Sequence, residues 1–227
     1  MNKREIATGI LLGHFNANLM KIIFLLLLII FSGCNSSRVV NTYRNKQELP
    51  IKVNKVLIIG ISPDLKVRET FEIGIQRTLR KKNILAIPSL HYFSNTKLLK
   101  DLSREEINQL EKKLLSDNFN VVVLTRVVSI ENKESLVEDI VNVGRIYSTF
   151  KQDYFENQFI YSFENKVNNA RIFHTETAVY HITEDDRRDI LWRGAIDIIN
   201  PKKMRSSIKQ YIKVLNSTLE KENIFAQ

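Results

Sequence analysis

Apolar residues along this chain follow three rhythms, and each predicts a different kind of element. Ile22–Phe31 is apolar without interruption, preceded by Met20-Lys21 and followed by Ser32-Gly33-Cys34. Short aliphatic runs bounded by polar residues recur at Lys55–Ser62, Ile84–Pro88 and Asn120–Val128, the pattern of strands covered on both faces. Elsewhere the apolar positions stand three or four apart: Val67, Phe71, Ile75 and Leu79, then Ile107, Leu110 and Leu114, and last Met204, Ile208, Ile212, Leu215 and Leu219. Each of these sets falls on one face of a helix.

Turn and cap residues punctuate the pattern. Ser62-Pro63-Asp64 and Asn200-Pro201 each offer an N-cap followed by proline at the first helical position, where a missing N–H costs nothing. Ser103-Arg104-Glu105-Glu106 reads as a capping box. Ala170–Ile182 and Ile190–Ile199, on either side of the polar loop Thr183–Asp189, predict an antiparallel hairpin. The alternation of strand and helix before it predicts neighbouring parallel strands. The expected fold class is therefore α/β: a single domain with a mixed, mostly parallel sheet flanked by helices, ending in an antiparallel hairpin and a final helix. Only Glu131–Asn168 resists the pattern. There Tyr147, Phe150, Tyr154, Phe155, Phe159, Tyr161 and Phe163 alternate with charges, residues 158–164 suggest a strand, and the rest reads as an aromatic-bearing excursion.

The first rhythm is an address. A positive start, a short apolar run and small residues form the layout of a secretory signal. The run is too short to cross a bilayer comfortably, which takes about 20 residues. Its end, Ser32-Gly33-Cys34, resembles the lipobox of bacterial lipoproteins, with Phe31 where that pattern usually has Leu. The resemblance implies cleavage between Gly33 and Cys34 and acylation of Cys34, with each buried methylene contributing about 0.8 kcal/mol to anchoring. The expected organisation is a signal peptide at 1–33, with translation starting at Met1 or Met20, a lipidated cysteine and flexible tether at 34–54, and an α/β domain at 55–227. Pro50 and the polar residues Asn35–Asn54 motivate the tether.

Charge and composition narrow the chemistry. The 227 residues carry a formal net charge of +9; removing residues 1–33 takes away Lys3, Arg4, Lys21 and Glu5 and leaves the chain basic. Lysines and arginines are interleaved with acids along the chain, which reads as a solvated surface and not as a nucleic-acid site. Cys34 is the single cysteine, so no internal disulfide or cysteine metal site can form. Gly60, Gly74, Gly144 and Gly194 stand too far apart for a dinucleotide fingerprint or a phosphate loop, and no Gly-x-Ser-x-Gly or His-Glu-x-x-His occurs. His174 and His181 have opposite parity on one predicted strand and point to opposite faces, whereas His174 and Glu176 lie side by side. Glu184-Asp185-Asp186 sits where a polar turn is needed and lacks calcium-loop spacing. Trp192 reads as core. Arg126, leaving the third strand, is the single candidate for a ligand or partner contact, because α/β sheets bind ligands beyond the strand ends. No catalytic residue, metal ligand or cofactor site is expected.

Lys55–Ser62 leading into a helix with Arg68, Phe71 and Glu72, followed by Ala86-Ile87-Pro88-Ser89, Val121–Arg126 and Leu191-Trp192-Arg193-Gly194, resembles a family of small bacterial envelope lipoproteins of unknown function. That family is similar in fold to the periplasmic module of the Tol translocation protein and to the curli-secretion lipoprotein. Lys82-Asn83 departs from it, standing where glycine is expected. The anchor and the resemblance together imply a non-catalytic interaction or assembly domain with an envelope protein partner. It would be held to membrane lipid through acylated Cys34, at the outer membrane and facing the periplasm. Two alternatives are an oligomeric secretion or outer-membrane assembly component, with the aromatic stretch 133–165 set against the membrane, and an envelope hydrolase using carboxylates that the sequence does not pair.

Overall fold

The computed structural model describes residues 37–46, 51–93, 102–132, 138–139, 149–158, 160, 170–184, 190–199, 201 and 204–225. All belong to a compact unit spanning Ser36–Gln227. The signal-like stretch 1–33 and Cys34 lie outside the described residues, as does most of the aromatic excursion. Among the described residues, no helix is long and apolar enough to cross a membrane.

The aliphatic run predicted as a central strand is one. Strand β2 (Val56–Ile61) is buried at every position because it has parallel neighbours on both sides, β3 (Ala86–Pro88) and β4 (Val121–Asn132). The short β5 (Glu138–Asp139) pairs with the far end of β4. The predicted hairpin is present as β6 (Ala170–His181) and β7 (Ile190–Ile199). It does not extend the sheet at a distance: β6 lies directly against β4, antiparallel, with Arg126 opposite Glu176. The spatial order is β1-β7-β6-β4-β2-β3. The sheet is thus mixed, but the expectation of a mostly parallel one is corrected, since only the β2–β3 and β2–β4 pairings run parallel. β4 serves two neighbours of opposite sense because Val121–Arg126 pairs with β2 along one edge and with β6 along the other.

A second correction concerns the stretch expected to be a tether. Ser37–Arg44 forms strand β1, antiparallel to β7 from Ser37 opposite Ile198 to Arg44 opposite Trp192. Its mixed polar sequence conceals it, because an edge strand has one neighbour and shows no continuous apolar run.

Helix α1 (Leu65–Arg80) starts later than its proline suggested. Asp64 is the N-cap, its carboxylate accepting from Lys66 N and Val67 N, while the Ser62 hydroxyl accepts from Asp64 N. A single turn, α2 (Ser89–Tyr92), follows β3. Helix α3 (Arg104–Ser116) has the predicted capping box between Ser103 and Glu106. Helix α4 (Phe150–Asn157) emerges from the stretch that the sequence pattern left unassigned, capped by Thr149. Helix α5 (Met204–Lys221) begins three residues beyond Pro201 and buries Ile208, Tyr211, Leu215 and Leu219.

The long helices α1, α3 and α5 end alike. Asn83, Asn118 and Asn223 adopt positive φ of 59°, 67° and 53°, and the following Ile84, Phe119 and Ile224 donate N–H to Leu79, Leu114 and Leu219 five residues back. These are Schellman caps in which asparagine takes the left-handed position usually held by glycine. The apparent departure at Lys82-Asn83 is therefore the same turn made with a different residue. Each cap drops a large side chain into the core, where Ile84, Phe119 and Ile224 are buried.

Helices α1 and α5 cover one face of the sheet, where Tyr211 meets Phe71 edge-on at 6.0 Å and bonds Thr177 at 2.5 Å. Residues 177 and 180 differ in parity, so Tyr180, which bonds α4 through Asp153, marks the opposite face. Trp192 is fully buried, as expected. Gly194 makes room for it: a Cβ there would lie 2.2 Å from the indole ring.

Candidate functional site

Arg126 does not leave the sheet at a strand end, because β4 continues to Asn132. It sits inside a buried ionic cluster between α4 and the sheet. Its Nη1 donates to Asp153 Oδ1 of α4, and its Nη2 to Glu176 Oε1 of β6 at 2.7 Å. Arg193, on β7, approaches the same Glu176 oxygen with Nη1 at 3.3 Å and donates from Nη2 to the Tyr180 hydroxyl at 3.1 Å. The Tyr180 hydroxyl donates in turn to Asp153 Oδ2, and Asn157 Nδ2 donates to Asp153 Oδ1 at 2.9 Å. Among the described residues, two guanidinium groups thus face two carboxylates.

Burial sets the protonation behaviour. Desolvation pushes the Tyr180 hydroxyl well above its ordinary range, and the neighbouring Asp153 charge pushes the same way. Desolvation also raises Glu176, against the pull of Arg126 and Arg193. A raised carboxyl inside a charged cluster can mark a proton-transfer site, but structural ion-pair networks produce the same signature. Arg126 and Asp153 are 5% and 1% exposed in their side chains, and Glu176, the most open of the four charged groups, is only 20% exposed. Among the described residues the cluster ties α4 to β4, β6 and β7. Arg126, expected to contact a ligand or partner, is buried here and donates to the carboxylates of Asp153 and Glu176.

Two further clusters in the described residues are centred on the buried carboxylates Glu72 and Asp197. In the first, Glu72 is fully buried and accepts from Gly60 N at 2.9 Å, Arg68 Nε at 2.9 Å, the Ser89 hydroxyl at 2.6 Å and Leu90 N at 3.0 Å. Arg68 also donates to Ser89 at 2.7 Å. This joins α1 to β2 and to the turn after β3. In the second, Asp197 of β7 accepts from Arg38 of β1 at 3.1 Å and meets His174 Nδ1 at 2.7 Å. His174 and Glu176 share a face, as predicted, but each is engaged by a different partner. Among the described residues no group of three His, Cys, Asp or Glu side chains is placed to hold a metal ion.

Cys34, Gly33, Asp185 and Asp186 fall outside the described residues, as do Tyr147, Phe159, Tyr161 and Phe163. Two aromatics of the excursion are inside the protein: Phe150 and Tyr154 are buried on α4, 5.6 Å apart, with Phe150 6.3 Å from Tyr180. They are core residues, which removes them from any membrane-facing set. Asp153, the hub of the cluster, escaped sequence reasoning. The available signal was Thr149 as N-cap, with Phe150 and Tyr154, and Asp153 and Asn157, each four apart.

No protein-family model and no curated protein sequence matches this chain. Similar solved structures include the PelC dodecamer from Paraburkholderia phytofirmans (TM-score 0.40, 10% identity, covering 79% of this chain and 95% of that one). A point variant of that dodecamer matches with TM-score 0.39 and 10% identity, covering 79% and 96%. Lipoprotein GNA1162 from Neisseria meningitidis matches with TM-score 0.36 and 8% identity, covering 74% and 99%. Likeness at this level fixes no function.

Proposed function

We propose that the chain is a lipoprotein precursor, cut before Cys34 and acylated there. Its α/β domain is held at the cell envelope, at the outer membrane on the periplasmic side, to bind another envelope protein without turning over a substrate. The observation that carries this reading is where the fold begins. The compact unit starts at Ser36 and its first described strand at Ser37, so a cut before Cys34 would keep every described strand and leave the acylated residue three positions before β1 in the sequence. The lipobox-like Ser32-Gly33-Cys34 supplies the chemistry.

Intact-mass analysis of the protein extracted from membranes of a producing bacterium tests the anchor. The expected species starts at Cys34, carries added acyl mass, and disappears in Cys34→Ala. An unmodified chain retaining residues 1–33 would overturn the reading. Crosslinking of the acylated protein in the same membranes should capture a specific envelope protein, and turnover of a glycan, peptide or phosphoester by the purified protein would overturn the non-catalytic assignment.

A further inference from the structure

The two edges of the sheet are built differently. β3 is three residues long and ends in Pro88, two of the devices that blunt an edge against unwanted pairing. β1 is eight residues long, and among the described residues no strand pairs with its outer side. It also exposes Val39, Val40 and Tyr43, half of the large apolar side chains that are exposed among the described residues, with Val40 at 57% and Tyr43 at 51%. Val40 falls at the register shift between Val39 and Asn41, where a bulge turns a side chain out of the ladder.

We propose that this edge is a lipid-contact surface: with Cys34 acylated, β1 lies edge-on along the membrane at headgroup level, with Val39 and Tyr43 flanking the edge from opposite faces of the sheet, as their partners Ile196 and Arg193 require, and Val40 at the bulge between them. The inference rests on the lipoprotein reading above. Cys34 is separated from Ser37 by only Asn35 and Ser36, and three residue steps span at most about 11 Å even when fully extended. An anchor that short holds Ser37, the start of the strand, within about 11 Å of the interface, and the exposed apolar residues further along bring the rest of the strand down to it. Depth is set by the backbone. Unpaired strand N–H and C=O groups cannot enter hydrocarbon, but headgroups and interfacial water satisfy them. Tyr43, Arg44 and Lys46 follow in sequence, residue types that favour the membrane–water interface.

The test places an environment-sensitive fluorophore on acylated full-length protein reconstituted in phosphatidylethanolamine/phosphatidylglycerol vesicles containing a nitroxide lipid. Val40→Cys and Tyr43→Cys report the β1 edge. Leu85→Cys, equally exposed and next to β3, reports the opposite edge, about 24 Å away across five strand spacings. Cys34 is blocked by its thioether when acylated, so a second label on it identifies protein in which the anchoring reading itself has failed, and the two failures separate. The expected result is quenching at positions 40 and 43 several-fold stronger than at 85. Equal, weak quenching at all three in acylated protein would overturn the proposal. So would quenching at 40 with 43 resembling 85, which means an end-on seat, or concentration-dependent self-quenching at 40 without lipid quenching, which means strand pairing with a second copy.

Discussion

The two buried clusters solve the same electrostatic problem in opposite ways. Around Glu72 a single carboxylate collects four donors, and its charged partner Arg68 stands one helical turn away on the same helix. Around Asp153 two carboxylates and two guanidinium groups come from α4, β4, β6 and β7. The first has its charged pair within α1 and takes its other donors from β2 and the turn after β3. The second exists only when four elements are already in place. A local cluster has redundancy in its hydrogen bonds, whereas the non-local one depends on its hub.

That difference predicts unequal penalties. Asp153→Ala leaves Arg126 and Arg193 with one shared, partly open carboxylate and leaves the Tyr180 hydroxyl without its acceptor. Breaking a buried ion pair from one side costs about 3–5 kcal/mol, a large share of the stability of a domain this size. Urea unfolding should show that loss in the midpoint, and α4 should detach first, seen as faster amide exchange over Phe150–Asn157 than over α1. A loss under about 1 kcal/mol would break the comparison, because it would mean that the sheet tolerates the two arginines without their hub.

Ser89→Ala probes the redundant cluster. It removes the acceptor of one Arg68 N–H and one donor to Glu72, while Gly60 N, Leu90 N and Arg68 Nε keep the carboxylate satisfied. The expected cost is about 1–3 kcal/mol, below that of Asp153→Ala, with the same folded structure by circular dichroism. If Ser89→Ala proved the costlier, the hydroxyl would be the hub and not the carboxylate.

The same contrast explains what could be read in the chain. Arg68 and Glu72 are four apart, inside a helix whose apolar stripe is plain, and Ser89 follows a short strand and a proline, so the pieces of the local cluster sit in recognisable elements. The capping box and the β6–β7 hairpin were legible for the same reason: their partners are near in sequence. Arg126, Asp153, Glu176 and Arg193 are separated by 17 residues or more along the chain, and nothing local links them. Arg126 drew notice as a charge at the end of an apolar run, and the sheet shows that its neighbour across the ladder is Glu176. β1 stayed hidden because an edge strand carries no periodic mark, and its pairing with β7 spans most of the chain. The sheet's sense is hidden for a related reason: strand–helix alternation predicts parallel neighbours, but it does not say on which side of β4 the hairpin will insert.

The smallest expected effect concerns pH. Glu176 is held above the ordinary carboxyl value of 4.5 in the folded protein, chiefly by desolvation. Folded protein therefore holds this proton more tightly than unfolded protein does, and the group contributes most to stability below about pH 4.5, where both states are protonated. As pH rises through the raised folded value, that contribution falls, because the folded state must ionise a carboxyl that burial disfavours. Glu176→Gln removes the titration. The stability difference between wild type and Glu176→Gln, measured by urea unfolding at a series of pH values from 4 upward, should therefore shift in favour of the variant as pH increases. A shift of the opposite sign would mean that Arg126 and Arg193 stabilise the Glu176 carboxylate more than burial penalises it. The non-local cluster would then be held mainly by attraction to its arginines, as the Glu72 cluster is held by its donors, and the distinction between the two would reduce to sequence distance.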